Sequence, residues 1–377
     1  MFDAELPALD IAGQYADLHK ITEEDVRETL RKTHLGSRDF QPLISPAAAP
    51  FLETMAQRSQ ALTHQRFGKV MQLFIPMYLS NLCYNKCTYC GFSVEHKYPR
   101  VILSDKEILA EGQLLANKGF QHLLLLTGEA EDKVGVDYIV HAIGLLRPMF
   151  ASIGIEVQPL SEDDYRKVLA AGADGLTLYQ ETYHPEAYQK HHLAGKKKHY
   201  AKRLQALEAG ARAGFYKINI GALLGLYAWR YEALALAAHL QYLMRHYWRS
   251  QYMISFPRIQ EMFGEYNPAY DVRDQDLVQL ICAFRLCFPD LGISLSTRES
   301  ATMRDNLVGL GITQMSAESN TAPGGYSGMD SESQFDISDH RPLPLILDML
   351  RSKGYDPVVK NWDRALIGER FGVTQFI

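Results

Sequence analysis

From about residue 69 onward the chain alternates short apolar runs with helix-forming runs, and it does so eight times. The strand candidates are Val70 to Tyr78, His122 to Leu126, Ile153 to Val157, Gly175 to Tyr179, Tyr216 to Ile220, Tyr252 to Phe256, Gly292 to Leu295 and Ile312 to Met315. Strands spaced by helical stretches read as βα units of a parallel sheet. Start and stop signals agree. Ser104-x-x-Glu107 is a capping box opening the run to Lys118, and Ser161-x-x-Asp164 is a weaker version. Gly119, Gly172 and Gly214 stand where a helix ends before the next strand. Eight such units predict an α/β fold: a TIM-like (β/α) barrel, eight-stranded and complete or nearly so. Residues 1–68 contain no strand-like run and read as an N-terminal helical extension, with the barrel domain over 69–377. At 377 residues and 47% hydrophobic content the chain can bury a core of that size.

The chemistry of such barrels collects at the loops that follow the strands. Cys83 to Cys90 follows the first candidate strand, Thr127-Gly128-Glu129 the second, and Gln158-Pro159 the third. Tyr179-Gln180-Glu181-Thr182-Tyr183 follows the fourth and Gly221-Ala222 the fifth. Ser296-Thr297-Arg298-Glu299 follows the seventh, and Ser316 to Ser319 the eighth. All of these polar groups are expected on one rim.

Cys83, Cys87 and Cys90 form a C-x3-C-x2-C loop, a spacing that lets three thiolates converge on one centre. A cubane iron–sulfur cluster has four irons to ligate, so three local thiolates leave one iron open. Two other readings compete: a structural zinc site completed by His96, and plain buried thiols. Cys282 and Cys287 lie in an apolar helical run, about 140° apart around its axis. They read as core.

The loop carries Tyr89 before its last cysteine and Gly91-Phe92 after it, and in this it resembles the radical S-adenosylmethionine (SAM) superfamily. The resemblance implies a radical SAM (β/α) barrel in which Cys83, Cys87 and Cys90 hold a [4Fe-4S] cluster. SAM would chelate the fourth iron and be cleaved to a 5′-deoxyadenosyl radical. Gly128 and Glu129 match the stretch that hydrogen-bonds the SAM amino group in that family, with Thr127 where the family has glycine. Glu181 is expected on the ribose, since a carboxylate accepts two bonds from a vicinal diol; its other reading is a surface or capping carboxylate. Tyr89 and Gln158 complete the expected cofactor contacts.

Glu156-Val157-Gln158-Pro159-Leu160, the stretch 179–183, Ile218 to Leu226, Ser296 to Glu299 and Pro323 to Tyr326 are similar to one branch, the tyrosine lyases. The likeness runs from about residue 70 to the end and includes a biotin/thiamine-synthesis-associated region at about 240–350. It implies cleavage of the Cα–Cβ bond of L-tyrosine to 2-iminoacetate and p-cresol, with methionine and 5′-deoxyadenosine as co-products. The partners it implies are a thiazole synthase (ThiG) and flavodoxin or a similar reductant. Arg298 offers a planar fork to the α-carboxylate of a free amino acid, and Ser296 can donate beside it. Two alternatives stand: another radical SAM enzyme acting on an aromatic amino acid, and a non-catalytic zinc-binding barrel. The stretch Arg341 to Ile377 holds no cysteine, which speaks against the second-cluster chemistry of the related hydrogenase maturase.

A net charge of −5 makes no case for nucleic-acid binding. No run approaches 18 consecutive apolar residues, so no membrane span is expected. Met1 to Asp10 is acidic and lacks the apolar core of a signal peptide. Five cysteines, three of them clustered, do not form a disulfide framework, and a cytoplasmic location follows. Lys196-Lys197-Lys198-His199 reads as a solvated basic loop or a docking point for an acidic electron donor. The histidines, His191 and His192 included, read individually as ordinary.

Overall fold

All eight expected strands form, and every pairing between them is parallel. In the computed structural model, which describes residues 1–262 and 266–359, they are β1 Val70–Ser80, β2 His122–Thr127, β3 Ser152–Glu156, β4 Gly175–Glu181, β5 Lys217–Ala222, β6 Gln251–Ser255, β7 Gly292–Leu295 and β8 Gln314–Ser316. Each bonds the next, and β8 returns to β1 with Gln72, Leu73 and Phe74 opposite Gln314, Met315 and Ser316. The barrel is closed. A further strand, Asp356–Val358, which the sequence pattern did not reveal, pairs with Val70–Gln72 beneath that closure. The last part of the expected barrel domain, residues 360–377, lies outside the described residues.

Side chains alternate across a strand, and here the alternation separates two environments. Leu73, Ile75, Met77 and Leu79 of β1 face outward into the main core beneath the helices. Phe74, Pro76 and Tyr78 face inward and line a cavity. The inner wall toward the strands' C-terminal ends is polar and aromatic, and that is where the functional groups stand. The helix Asp105–Asn117 opens on the expected capping box of Ser104 and Glu107. Gly172 and Gly214 end their helices at φ 118° and 108°, backbone that a side chain would strain.

Every element before β1 is helical, the last being Leu52–Phe67. They fasten onto the outside of the barrel, Leu52–Phe67 on Asp274–Cys287 and Ile11–Asp17 on Trp229–His246. The backbone N–H of Phe2 donates to the buried Glu208 carboxylate at 2.7 Å, and its ring stacks on His239. After β8 an irregular stretch crosses the mouth. It touches the end of β1 through Tyr78 and Gln334 (2.7 Å), and the end of β7 where Ser338 N–H donates to the Thr297 carbonyl (2.9 Å).

Candidate active site

The cysteine loop leaves β1 at Ser80 and is held by contacts that are mostly backbone. Arg100 gathers it from below, donating to the carbonyls of Asn81, Phe92, Ser93 and His96 at 2.6–3.1 Å. Lys86–Cys87 pairs antiparallel with His192–Ala194. The Tyr89 hydroxyl lies 2.7 Å from His192 Nε2, and Thr88 Oγ1 lies 2.8 Å from His191 Nδ1. His191 and His192 are therefore fasteners of this loop, a role their sequence context did not signal. Gly128 packs against it so closely that a Cβ would stand 2.1 Å from the Leu82 carbonyl oxygen. The glycine after β2 is a steric necessity.

Cys87 is buried, and Cys83 and Cys90 are half-buried. Burial pushes all three thiols up, Cys83 to about 11. Thiols so placed shed their protons to a metal centre and otherwise keep them. Two side-chain amides aim at the sulfurs: Asn85 Nδ2 is 3.7 Å from Cys83 Sγ, and Gln334 Nε2 is 3.7 Å from Cys90 Sγ. Such donors are what a thiolate-held cluster requires around it. His96 bonds the backbone of Cys90. Cys282 and Cys287 are buried in their helix, away from the loop.

Beside the cysteines lies a network of two carboxylates and two cations. Glu129 accepts from Asn85 Nδ2 (2.7 Å) and Arg203 Nη1 (3.1 Å). Glu181 Oε1 accepts from Arg203 Nη2 (3.2 Å) and Lys197 Nζ (2.7 Å). Burial opposes the Glu181 charge, yet Lys197 and Arg203 hold its carboxyl below the ordinary value. Its backbone has φ 71°, at a register shift where Tyr179 faces Gly221 and Glu181 faces Ala222. Such a conformation costs about 1–3 kcal/mol in a residue with a side chain and persists where the surroundings impose it. Tyr179 and Glu181 both line the chamber at the mouth.

Lys197 corrects the reading of its triplet as one solvated patch. It is turned inward, with its ammonium 5.8 Å from the centre of the Tyr89 ring, whereas Lys196 pairs with Glu131 at the surface. Arg203 was also missed; its only sequence signal is a charge on the apolar stripe it shares with Leu204, Leu207 and Gly210. Gln158 ties Val134 (3.0 Å) to Thr127 (3.4 Å), bracing the loop that carries Gly128 and Glu129.

Next to this network a cavity runs into the barrel. Arg298 lines it, its guanidinium 3.3 Å from the centre of the Phe335 ring, with no hydrogen bond or ion pair to any described residue. Burial pulls that guanidinium below its usual range. Ser296 Oγ accepts from the Arg298 N–H at 3.3 Å and shapes the turn. A second chamber, lined by Tyr89, Cys90, Glu181 and Lys197, shares Glu156, Tyr179, Arg298, Gln334 and Phe335 with the first. Cys90, Glu181, Lys197 and Arg298 thus line one chamber.

Comparison with known proteins gives the following. Residues 77–237 match the Radical SAM superfamily model, and residues 255–356 match the Biotin and Thiamin Synthesis associated domain. The 2-iminoacetate synthase of Salmonella typhimurium is 45% identical over 344 residues, 91% of each chain. That of Escherichia coli is 45% identical over 347 residues, 92% of each. The X-ray structure of the FeFe-hydrogenase maturase HydG from Carboxydothermus hydrogenoformans superposes with a TM-score of 0.89 at 29% identity, covering 95% of this chain and 85% of that one. No helix among the described residues is long and apolar enough to cross a membrane.

Proposed function

This chain belongs to the 2-iminoacetate synthase family of the radical SAM superfamily, and on that premise we propose how its own residues divide the work. The enzyme is a carbon–carbon lyase that breaks the Cα–Cβ bond of L-tyrosine to give 2-iminoacetate and p-cresol for thiamine biosynthesis. Its superfamily works with an iron–sulfur cluster and SAM.

Cys83, Cys87 and Cys90 hold a [4Fe-4S] cluster, with Asn85 and Gln334 donating to the outer thiolates. When bound, cluster and SAM together supply a 5′-deoxyadenosyl radical that removes a hydrogen atom from the substrate; the protein supplies placement. Glu129 receives the SAM amino group. Glu181 offers Oε2 to the ribose hydroxyls, since both of its ion pairs fall on Oε1. Arg203 bonds both carboxylates and aims them, Gly128 lets the two loops meet, and Tyr89 and Gln158 hold the walls. Arg298 takes the tyrosine carboxylate, with Ser296 setting the turn beneath it. The aromatic ring enters the apolar part of the cavity, where the cleavage is shielded from water.

A thiazole synthase (ThiG) would take up the 2-iminoacetate, and flavodoxin or a similar donor would supply the electron. Tyr84, Val94 and Leu193 are 44%, 41% and 50% exposed around the cysteine loop and give that donor an apolar rim. The observation that carries the reading is the shared chamber: Cys90 of the cysteine loop, the Glu181–Lys197 pair and an uncommitted Arg298 line one space. The test is anaerobic reconstitution with iron and sulfide, followed by incubation with SAM, tyrosine and a reductant. About four irons per chain and tyrosine-dependent p-cresol are expected; cluster-loaded protein that cleaves SAM but forms no p-cresol from tyrosine would exclude it.

A further inference from the structure

Two carboxylates line the cavity beside Arg298, and only one of them is committed. Glu299 is 3% exposed and takes the Arg258 guanidinium, Nε at 2.9 Å. Glu156 ends β3, paired with Leu126 of β2, and its carboxylate makes no hydrogen bond or ion pair with any described residue. It borders both chambers, as Arg298 does. The junction therefore presents one anion and one cation that the protein leaves unbonded and does not pair with each other. Below them the wall turns apolar, with Phe74, Leu124, Leu126, Phe256, Ile281 and Ile293.

A free α-amino acid carries a carboxylate and an ammonium on one carbon, and burying either charge is unfavourable without a partner. We propose that Glu156 receives the α-ammonium of the tyrosine substrate while Arg298 holds its α-carboxylate. Cα then stands at the junction of the two chambers, and the phenol ring lies in the apolar one. This assignment rests on the tyrosine reading above and adds what fixes the orientation of the amino acid. Burial, with the Glu181 charge nearby, raises the Glu156 carboxyl to about 7 despite Arg298; an ammonium bound against it supplies the counter-charge that favours the ionised form.

The test is equilibrium binding to the reconstituted protein with SAM and without reductant, so that nothing turns over. The probes are L-tyrosine and 3-(4-hydroxyphenyl)propionate, which lacks only the amino group. The wild type should favour tyrosine by about ten- to a hundredfold, the worth of a hydrogen bond to a charged group. Glu156→Gln should lose that preference while its affinity for the propionate holds. Glu156→Asp, which keeps the charge, should retain part of the preference, whereas Arg298→Ala should weaken both ligands. If Glu156→Gln weakened both ligands equally, or bound tyrosine like the wild type, the assignment would be overturned. Wild-type protein that binds no tyrosine would instead overturn the tyrosine reading on which it rests.

Discussion

Arg203 gives the most quantitative test of the acidic network. Its side chain is 7% exposed and its guanidinium serves three acceptors: Glu129, Glu181 and the Tyr179 carbonyl, the last at 2.6 Å. Arg203→Met keeps most of the stem and removes the charge. Breaking a buried ion pair costs about 3–5 kcal/mol, because the partner's charge is left without compensation. Lys197 still faces Glu181 and Asn85 still faces Glu129, so the lower end, about 3 kcal/mol, is expected. For a chain of 377 residues that is a fall of about 4 °C in the melting temperature of the apo protein. The sign of the pH dependence follows from Glu181. In the wild type its folded value is depressed, so its stabilisation is present above the ordinary carboxylate range and lost as pH falls through the folded value. In the variant, burial prevails over Lys197 alone and the value rises; the deficit is then largest at neutral pH and shrinks on acidification. Melts of both proteins between pH 8 and 5.5 measure this, with SAM affinity as a second readout. A pH-independent deficit, or one below about 1 °C, would refute the reasoning.

Other outcomes follow from the same geometry. Alanine at Cys83, Cys87 or Cys90 should each abolish the cluster absorbance and SAM cleavage, whereas Cys282→Ala and Cys287→Ala should leave iron content unchanged. Gly128→Ala should sharply reduce cluster loading, because its new methyl meets the Leu82 carbonyl at 2.1 Å; iron analysis after reconstitution reads this directly. Arg298→Ala should end p-cresol formation, and Arg298→Lys should lower it substantially, since an ammonium cannot offer the planar fork. Cluster content and SAM affinity should persist in both, and an unchanged KM for tyrosine in Arg298→Ala would place the carboxylate elsewhere.

Strands and rim were legible because both are local. Apolar runs, capping boxes and terminal glycines lie within a few residues of what they determine, and each barrel strand formed within about two residues of its expected bounds. Cys83, Glu129, Glu181 and Arg298 could be singled out because each stands at or just past the end of a strand. Lys197 and Arg203 could not, since their inward turn depends on the ribbon at His192–Ala194 and on a helix face packed against β4. Glu156 stood in a motif without a role. Its meaning came from the ion pairs other carboxylates make, which a single sequence does not display. Arg100 likewise serves carbonyls up to 19 residues away, and carbonyls leave no trace in composition.

The anchoring of Phe2 bears on the order in which this protein completes itself. Its backbone and ring are received by Glu208 and His239, more than 200 positions downstream. While the chain is being synthesised, the opening helices emerge long before the surface they bind exists. Their final contacts have the large sequence separation that makes docking slow. The extension is made before the barrel surface that receives it, and its clasp needs both Glu208 and His239 in place.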